Sequence, residues 1–256
     1  MNNYESRHNN GILYIIGTPI GNLEDITYRA VRILGKVDLI ACEDTRHTKI
    51  LLDRYNINKP LVSYHQHSQI TKIDYLINEL KAGKNIALVT DAGTPGISDP
   101  GGFLVQKTIE QCNLSTSLEA DKITIIPIPG PSAITTLLSV SGMPTDSFLF
   151  LGFLPKKKGR QTLFRNLLKA SGLKLFEAIV FYESPHRIVQ TLKELQLSVG
   201  NYDVVIGREL TKQFEEIYRG KIGQAITYFD QKEPRGEFTV VLRTTPTKYQ
   251  QNEILN

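Results

Sequence analysis

Leu88-Val89-Thr90-Asp91-Ala92-Gly93-Thr94-Pro95-Gly96-Ile97-Ser98-Asp99-Pro100-Gly101-Gly102 is the stretch whose reading decides the fold. A short apolar run, Ile86 to Val89, stops at Thr90 and Asp91. The residues after it hold Gly93, Gly96, Gly101 and Gly102, stiffened by Pro95 and Pro100. That is a buried strand emptying into a glycine loop, followed by a helix pattern at Phe103, Leu104, Val105 and Ile109. Connections in α/β units usually run about 2–6 residues, so this loop is longer than joining requires. Glycine removes Cβ and permits positive φ, which lets a ligand lie against backbone N–H groups. In open α/β sheets ligands sit outside the carboxyl ends of strands. The spacing is neither G-x-G-x-x-G nor G-x-x-x-x-G-K-[ST], which argues against a dinucleotide fingerprint and a Walker loop.

Outward from this unit the same plan repeats. Ile12 to Ile16 is an apolar run ending at Gly17-Thr18-Pro19-Ile20-Gly21-Asn22, with Asp25 or Thr27 placed to cap a helix carrying Ala30, Val31, Ile33 and Leu34. Val37 to Ala41 delivers Cys42-Glu43-Asp44-Thr45-Arg46, and Pro60 to Tyr64 delivers His65-Gln66-His67. Ile123 to Ile126 reads as the last strand of this half. Strand and helix alternating in this way predict a mostly parallel sheet covered by helices. Pro127, Pro129 and Pro131 with Gly130 read as a stiff connector. The expected organisation is a polar tail over 1–10, an α/β domain over 11–126, the connector over 127–131, a second α/β domain over 132–243 and a polar tail over 244–256. In the second half, runs at Phe148–Leu151, Ala178–Tyr182 and Val204–Ile206 predict strands, separated by helices near Thr162–Ala170 and Ile188–Leu195. Phe214–Arg219 and Phe238–Leu242 are closer to alternation and predict an antiparallel contribution, hence a mixed sheet.

The chain has 256 residues, 41% hydrophobic and 22% charged, ordinary values for a globular protein. A net charge of +4 permits a nucleic-acid partner without demanding one. Two cysteines, Cys42 and Cys112, are too few for a disulfide framework and fit a reducing compartment. Met1 to Asn10 is polar and unlike a signal peptide, and no apolar run approaches the roughly 20 residues of a membrane span, so a cytoplasmic protein with no membrane partner is expected.

Three strand ends place a carboxylate beside an arginine: Glu43-Asp44-Thr45-Arg46, Glu183-Ser184-Pro185-His186-Arg187, and Arg208-Glu209-Leu210-Thr211-Lys212. Adjacent acids at such ends can polarise a hydroxyl, hold a metal or fix an arginine. Otherwise they are solvated helix starts. His65-x-His67 is one edge of a metal site, but no cysteine or carboxylate pattern completes it, and no metal is expected. Lys156-Lys157-Lys158-Gly159-Arg160 is the densest basic run, suited to a phosphate backbone or simply a solvated loop. Cys42 reads as a buried structural thiol.

Gly17 to Asn22, Cys42 to Arg46, Asp91 to Gly101 and Pro129 to Ala133 resemble the motifs of the tetrapyrrole-methylase class of S-adenosylmethionine enzymes. Tyr182 to Arg187, Arg208 to Lys212 and Gly236 to Phe238 are similar to one branch of it, the ribosomal RNA small subunit methyltransferase I proteins. The likeness runs from Gly11 to Arg243. It departs at Thr90, where serine is more usual, and at Gln66 and Ser68, where glutamate and asparagine are.

The resemblance implies a two-domain α/β homodimer, with S-adenosylmethionine in the cleft between domains and 2′-O-methylation of a cytidine in the decoding region of 16S rRNA in the small ribosomal subunit. Pro19, Asp91, Ala92, Gly93, Ile97, Ser132 and Ala133 would line the donor site, and Tyr182 would close it. A ribose hydroxyl is a poor nucleophile, so a proton acceptor helps. Asp44 and Glu183 are the first candidates, with Glu43, His65 and Glu237 behind them. Arg46, Arg187 and Arg208 would position phosphates, and Lys156, Lys157, Lys158 and Arg160 would supply the outer electrostatic grip. A small-molecule tetrapyrrole methylase is the same-fold alternative, disfavoured by the basic clusters.

Overall fold

A computed structural model describes residues 10–64, 70–99, 101–113, 123–173, 175–232 and 235–244. They form two compact units that divide between Ser132 and Ala133.

The first unit holds β1 (Ile12–Ile16), α1 (Tyr28–Leu34), β2 (Leu39–Cys42), α2 (Thr45–Arg54), β3 (Leu61–Ser63), α3 (Ile70–Lys81), β4 (Ile86–Leu88), α4 (Gly101–Thr108) and β5 (Thr124–Ile128). The sheet is parallel throughout, in the order β3-β2-β4-β1-β5. Because successive side chains on a strand point to opposite faces, each strand feeds two cores. Ile12, Tyr14 and Ile16 pack with Ile33 and Leu34 of α1 and Leu52 of α2. Leu13, Ile86 and Leu88 pack with Leu76, Ile77 and Leu80 of α3 and Leu104 of α4. Strands buried on both faces explain the continuous apolar runs. Thr27 caps α1, its Oγ1 accepting from the Ala30 amide at 3.1 Å.

The proline-rich connector starts later than its composition suggests. Pro127 and Ile128 are still strand, with Pro127 in register with Ile15. β5 pairs only with β1, and an edge strand tolerates a missing N–H on its outer side.

The second unit holds α5 (Ala133–Ser141), β6 (Phe148–Phe153), α6 (Arg160–Gly172), β7 (Ala178–Glu183), α7 (Ile188–Val199), β8 (Asp203–Arg208), β9 (Glu216–Lys221), α8 (Ile222–Asp230) and β10 (Phe238–Arg243). Its sheet runs β6-β7-β10-β8-β9. β6 and β7 are parallel, while β10 is antiparallel to both neighbours and β9 is antiparallel to β8. The sheet is therefore mixed, as expected, although the two late runs, now β9 and β10, lie on either side of β8 and do not pair with each other. Phe164 and Leu167 of α6, Leu192 and Leu195 of α7 and Phe229 of α8 form one core with Phe181, Ile206 and Val240. α5 packs on β8 and β10.

Candidate functional site at the strand ends

In the first unit, the carboxyl ends of β1, β2, β4 and β5 are tied together through backbone and short side chains. Thr18 and Gly93 form an antiparallel bridge: the Thr18 amide donates to Gly93 O at 2.9 Å and the Gly93 amide to Thr18 O at 3.1 Å. The Thr18 hydroxyl, buried, donates to Thr90 O at 2.9 Å. Thr90 Oγ1 donates in turn to Glu43 Oε2 at 3.1 Å, and the Asp44 amide donates to Asp91 Oδ1 at 3.1 Å. Gly17 meets Gly130 backbone to backbone. A Cβ built on Gly130 would stand 2.6 Å from Gly17 O, and one on Gly17 would stand 2.8 Å from Gly130 Cα. Only glycine fits at either position.

The long loop is more self-sufficient than its composition suggests. Asp99 Oδ1 accepts from the Gly96 amide at 2.7 Å and the Gly101 amide at 2.6 Å, and the Ile97 amide donates to Thr94 O at 3.2 Å. With Gly93 committed to Thr18, four amides are therefore spent on shaping the loop rather than offered to a ligand. Gly93 and Gly96 have φ of 84° and 87°, the left-handed region where a side chain is strained. A Cβ on Gly93 would make only ordinary contacts, at 3.6 Å to Ile20 and 3.8 Å to Pro131 O. Its glycine is thus required by conformation rather than by a crowding neighbour.

Pro19, Asp91, Ala92, Gly93 and Ile97 all lie at these ends. Ser132 closes the unit, directly before α5. Ala92 is exposed and Ile97 is 47% exposed, an uncommon placement for isoleucine, while the Asp91 carboxylate is partly open. Pro100, His65 and His67 lie outside the described residues.

The acids expected to carry proton chemistry divide sharply. Asp44 is the N-cap of α2, accepting from the Arg46 amide at 2.8 Å, and its Oδ2 meets Arg46 Nη2 at 2.6 Å. Hydrogen bonds from Arg46 hold its carboxyl well below the usual carboxylate range. So stabilised as an anion, Asp44 is a poor proton acceptor, which corrects its assignment as a base. Cys42 is buried, and burial pushes its thiol up, as a structural cysteine requires. His47, which the sequence reading passed over, sits in the first turn of α2. Its Nδ1 is 3.7 Å from Asp91 Oδ2, and its side chain is 65% exposed. The signal was present as Asp44-x-x-His47, a spacing that puts both residues on one side of a helix start.

In the second unit Glu183, at the end of β7, is 1% exposed. Its Oε1 accepts from the Ser184 amide at 2.7 Å and pairs with Arg187 Nη2 at 2.6 Å. Its Oε2 accepts from Thr191 Oγ1 at 2.7 Å, with Arg160 Nη1 at 3.9 Å. No substrate hydroxyl reaches a carboxylate enclosed in this way, so the expectation of Glu183 as a proton acceptor is corrected.

Arg160 is corrected too. It is 7% exposed, pairs with Glu194, donates to Thr191 Oγ1 at 2.5 Å and to Pro155 O at 3.0 Å, and lies over the Phe164 ring. This guanidinium is a structural pin beneath the basic loop, while Lys156, Lys157 and Lys158 stand exposed. Arg187 donates to Leu154 O at 3.1 Å, and Arg208 to Arg235 O at 2.8 Å and Glu216 Oε2 at 3.0 Å, so both are largely committed internally. Glu237 is exposed and takes Lys212 Nζ at 3.0 Å. Tyr182 on β7 packs against Phe150 and Phe153, and burial, helped by Glu237, pushes its hydroxyl up to about 12. Ala133 opens α5.

Among the described residues no group of histidine, cysteine and carboxylate side chains is arranged to hold a metal ion, and no helix is long and apolar enough to cross a membrane.

Residues 12–226 match the family model of the tetrapyrrole (corrin/porphyrin) methylases. A curated relative from Thermotoga maritima, named ribosomal RNA small subunit methyltransferase I, is 46% identical over 91% of this chain and 98% of its own length. A relative of the same name from Synechocystis is 47% identical over 91% of this chain and 78% of its own. The fold is shared with uroporphyrin-III C-methyltransferase from Thermus thermophilus, solved in complex with S-adenyl homocysteine. That likeness has a TM-score of 0.60 and 17% identity, over 91% of this chain and 92% of the other. Two α/β units of this topology, glycine-built strand ends, a family model matched over most of the chain and relatives 46–47% identical over 91% of it lead to one conclusion: the chain belongs to the ribosomal RNA small subunit methyltransferase I family of the tetrapyrrole methylases.

Proposed function

We propose that this protein transfers a methyl group from S-adenosylmethionine to the ribose 2′-hydroxyl of a cytidine in the decoding region of 16S rRNA, acting on the small ribosomal subunit in the cytoplasm as a homodimer. The observation that carries the reading is the set of strand ends in the first unit, built from Gly17, Thr18, Gly93 and Gly130 with almost no protruding side chain. A donor made of a nucleoside and an amino acid fits such a surface. Ile97 offers an exposed apolar side chain for a flat base and Asp91 a partly open carboxylate for hydroxyl or amino groups, with Pro19, Ala92, Ser132, Ala133 and Tyr182 as further donor contacts of this reading. When bound, the donor supplies an electrophilic methyl on a sulfonium. The protein's part is to orient donor and acceptor, exclude water and accept a proton.

The relatives' names support rRNA as the substrate. The exposed Lys156, Lys157 and Lys158, with Arg46 at 90% side-chain exposure, supply cations a phosphate backbone can meet. The test is to incubate the purified chain with methyl-labelled S-adenosylmethionine and, separately, small ribosomal subunits, naked 16S rRNA and a tetrapyrrole. Label on one cytidine ribose is the expected outcome. Label confined to the tetrapyrrole, or absent, overturns the reading.

A further inference from the structure

An acceptor for a ribose proton must be exposed, uncommitted to another cation, and basic enough to hold the proton as it leaves. Asp44 fails the second and third conditions, since Arg46 occupies its carboxylate. Glu183 fails the first. Glu237 is exposed but taken by Lys212, and Glu43 is half-buried and accepts from Thr90. Of the candidates within the described residues, His47 is exposed and pairs with no cation there. Its ring is 65% exposed and it stands on the first turn of α2, over the end of β4. Nδ1 faces Asp91 Oδ2 at 3.7 Å, which leaves Nε2 as the outward nitrogen. Asp91 is itself held in place, its other oxygen accepting from the Asp44 amide. At 3.7 Å the carboxylate makes no direct hydrogen bond to the ring, but it sets a negative charge behind one nitrogen, which stabilises the imidazolium that forms when the other nitrogen takes a proton.

We propose that His47 is the general base for the acceptor hydroxyl, with the Asp91 carboxylate as the negative charge behind it, an inference that rests on the methyl-transfer reading above. The hydroxyl oxygen forms the new bond to the methyl carbon, the sulfur–methyl bond breaks with its electron pair left on sulfur, and the hydroxyl proton passes to His47 Nε2. Water then takes the proton from the ring. Among the described residues, the charged groups that meet His47 are Asp91, from the loop after β4, and Asp44, the N-cap of its own helix, which is itself paired with Arg46.

The experiment compares wild type, His47→Ala and His47→Gln with labelled S-adenosylmethionine and small subunits, alongside donor affinity by calorimetry. The expected result is a kcat lower by about 100-fold or more in both variants, with donor affinity within about threefold of wild type. The acidic fall in the wild-type rate is also expected to be missing from the variants' pH profiles. Separately, at saturating donor, Asp91→Asn is expected to lower kcat by about tenfold, an effect missing when the same change is made in His47→Gln. Either His47 variant keeping more than half of wild-type kcat overturns the general base, and an Asp91→Asn effect that persists undiminished in His47→Gln overturns Asp91's part. A wild type that labels no ribose overturns the methyl-transfer reading and this inference with it. An inactive variant beside an active wild type, with donor affinity kept, isolates His47.

Discussion

The two units end their strands in opposite ways. In the first, the ends of β1, β4 and β5 are stripped to backbone: Gly17 lies on Gly130, and Thr18 bridges Gly93. In the second, the ends of β7 and β8 are filled with long charged side chains, Glu183 between Arg160 and Arg187, and Arg208 on Glu216. In open α/β sheets ligands bind beyond the carboxyl ends of the strands, and both units have such ends. They differ in what is buried there. A surface made of main chain is shaped by the absence of atoms and is broken by adding one. A surface made of paired charges is broken by taking one away, because the partner left behind is a desolvated charge.

The largest effect is expected from removal in the second unit. Glu183→Ala leaves Arg160 and Arg187 facing an empty, dry position, and a loss of about 3–5 kcal/mol is expected in urea unfolding. Addition in the first unit comes next. Gly130→Ala sets a methyl against the main chain of Gly17, where no side chain can swing aside, and about 1–3 kcal/mol is expected by the same measurement. If Gly130→Ala costs nothing while Glu183→Ala does, the claim that the first unit is shaped by close backbone approach fails.

Acid provides the smallest and most graded contrast. Burial alone would raise Glu194, Glu209 and Glu216, but hydrogen bonds outweigh it: from Arg160 and Gln190 to Glu194, from Lys212 and the Glu237 amide to Glu209, and from Tyr228, Lys232 and Arg208 to Glu216. All three are held low. A carboxyl whose folded value lies below its unfolded one adds stability that is complete above the unfolded value, about 4.3 for glutamate, and is lost as pH falls through the folded value. Hydrogen exchange at pH 7 and pH 3.5 should therefore show amide protection in β8 and β9 falling more than in β1 and β4. Equal loss in both sheets would mean that these ion pairs do not distinguish the units.

How much of this was legible beforehand follows from the same contrast. Continuous apolar runs such as Ile12 to Ile16 and Ile86 to Val89 gave away the parallel sheet, because strands covered on both faces carry no other pattern. The glycine loop marked its own place, but not its hydrogen bonds. Nothing in the run from Asp91 to Gly102 says that Asp99 will claim two of its amides. The charged ends misled further. Glu183 and Arg160 look like exposed chemistry in the chain, and only the fold shows them buried against Thr191 and Phe164. His47 was missed for a related reason: its partner, Asp91, is 44 residues away in the sequence (91 less 47) and meets it only when β4 lies beside β2.

One further consequence belongs to Pro127. The Gly17 amide donates to Ile128 O, so the Ile128 carbonyl faces β1 and the main chain of Pro127, one residue earlier, faces outward. A strand from another molecule laid along that border would look there for a donor and find a pyrrolidine ring. That border of the sheet therefore lacks one of the donors an added strand would need, next to the glycines that shape the proposed donor site.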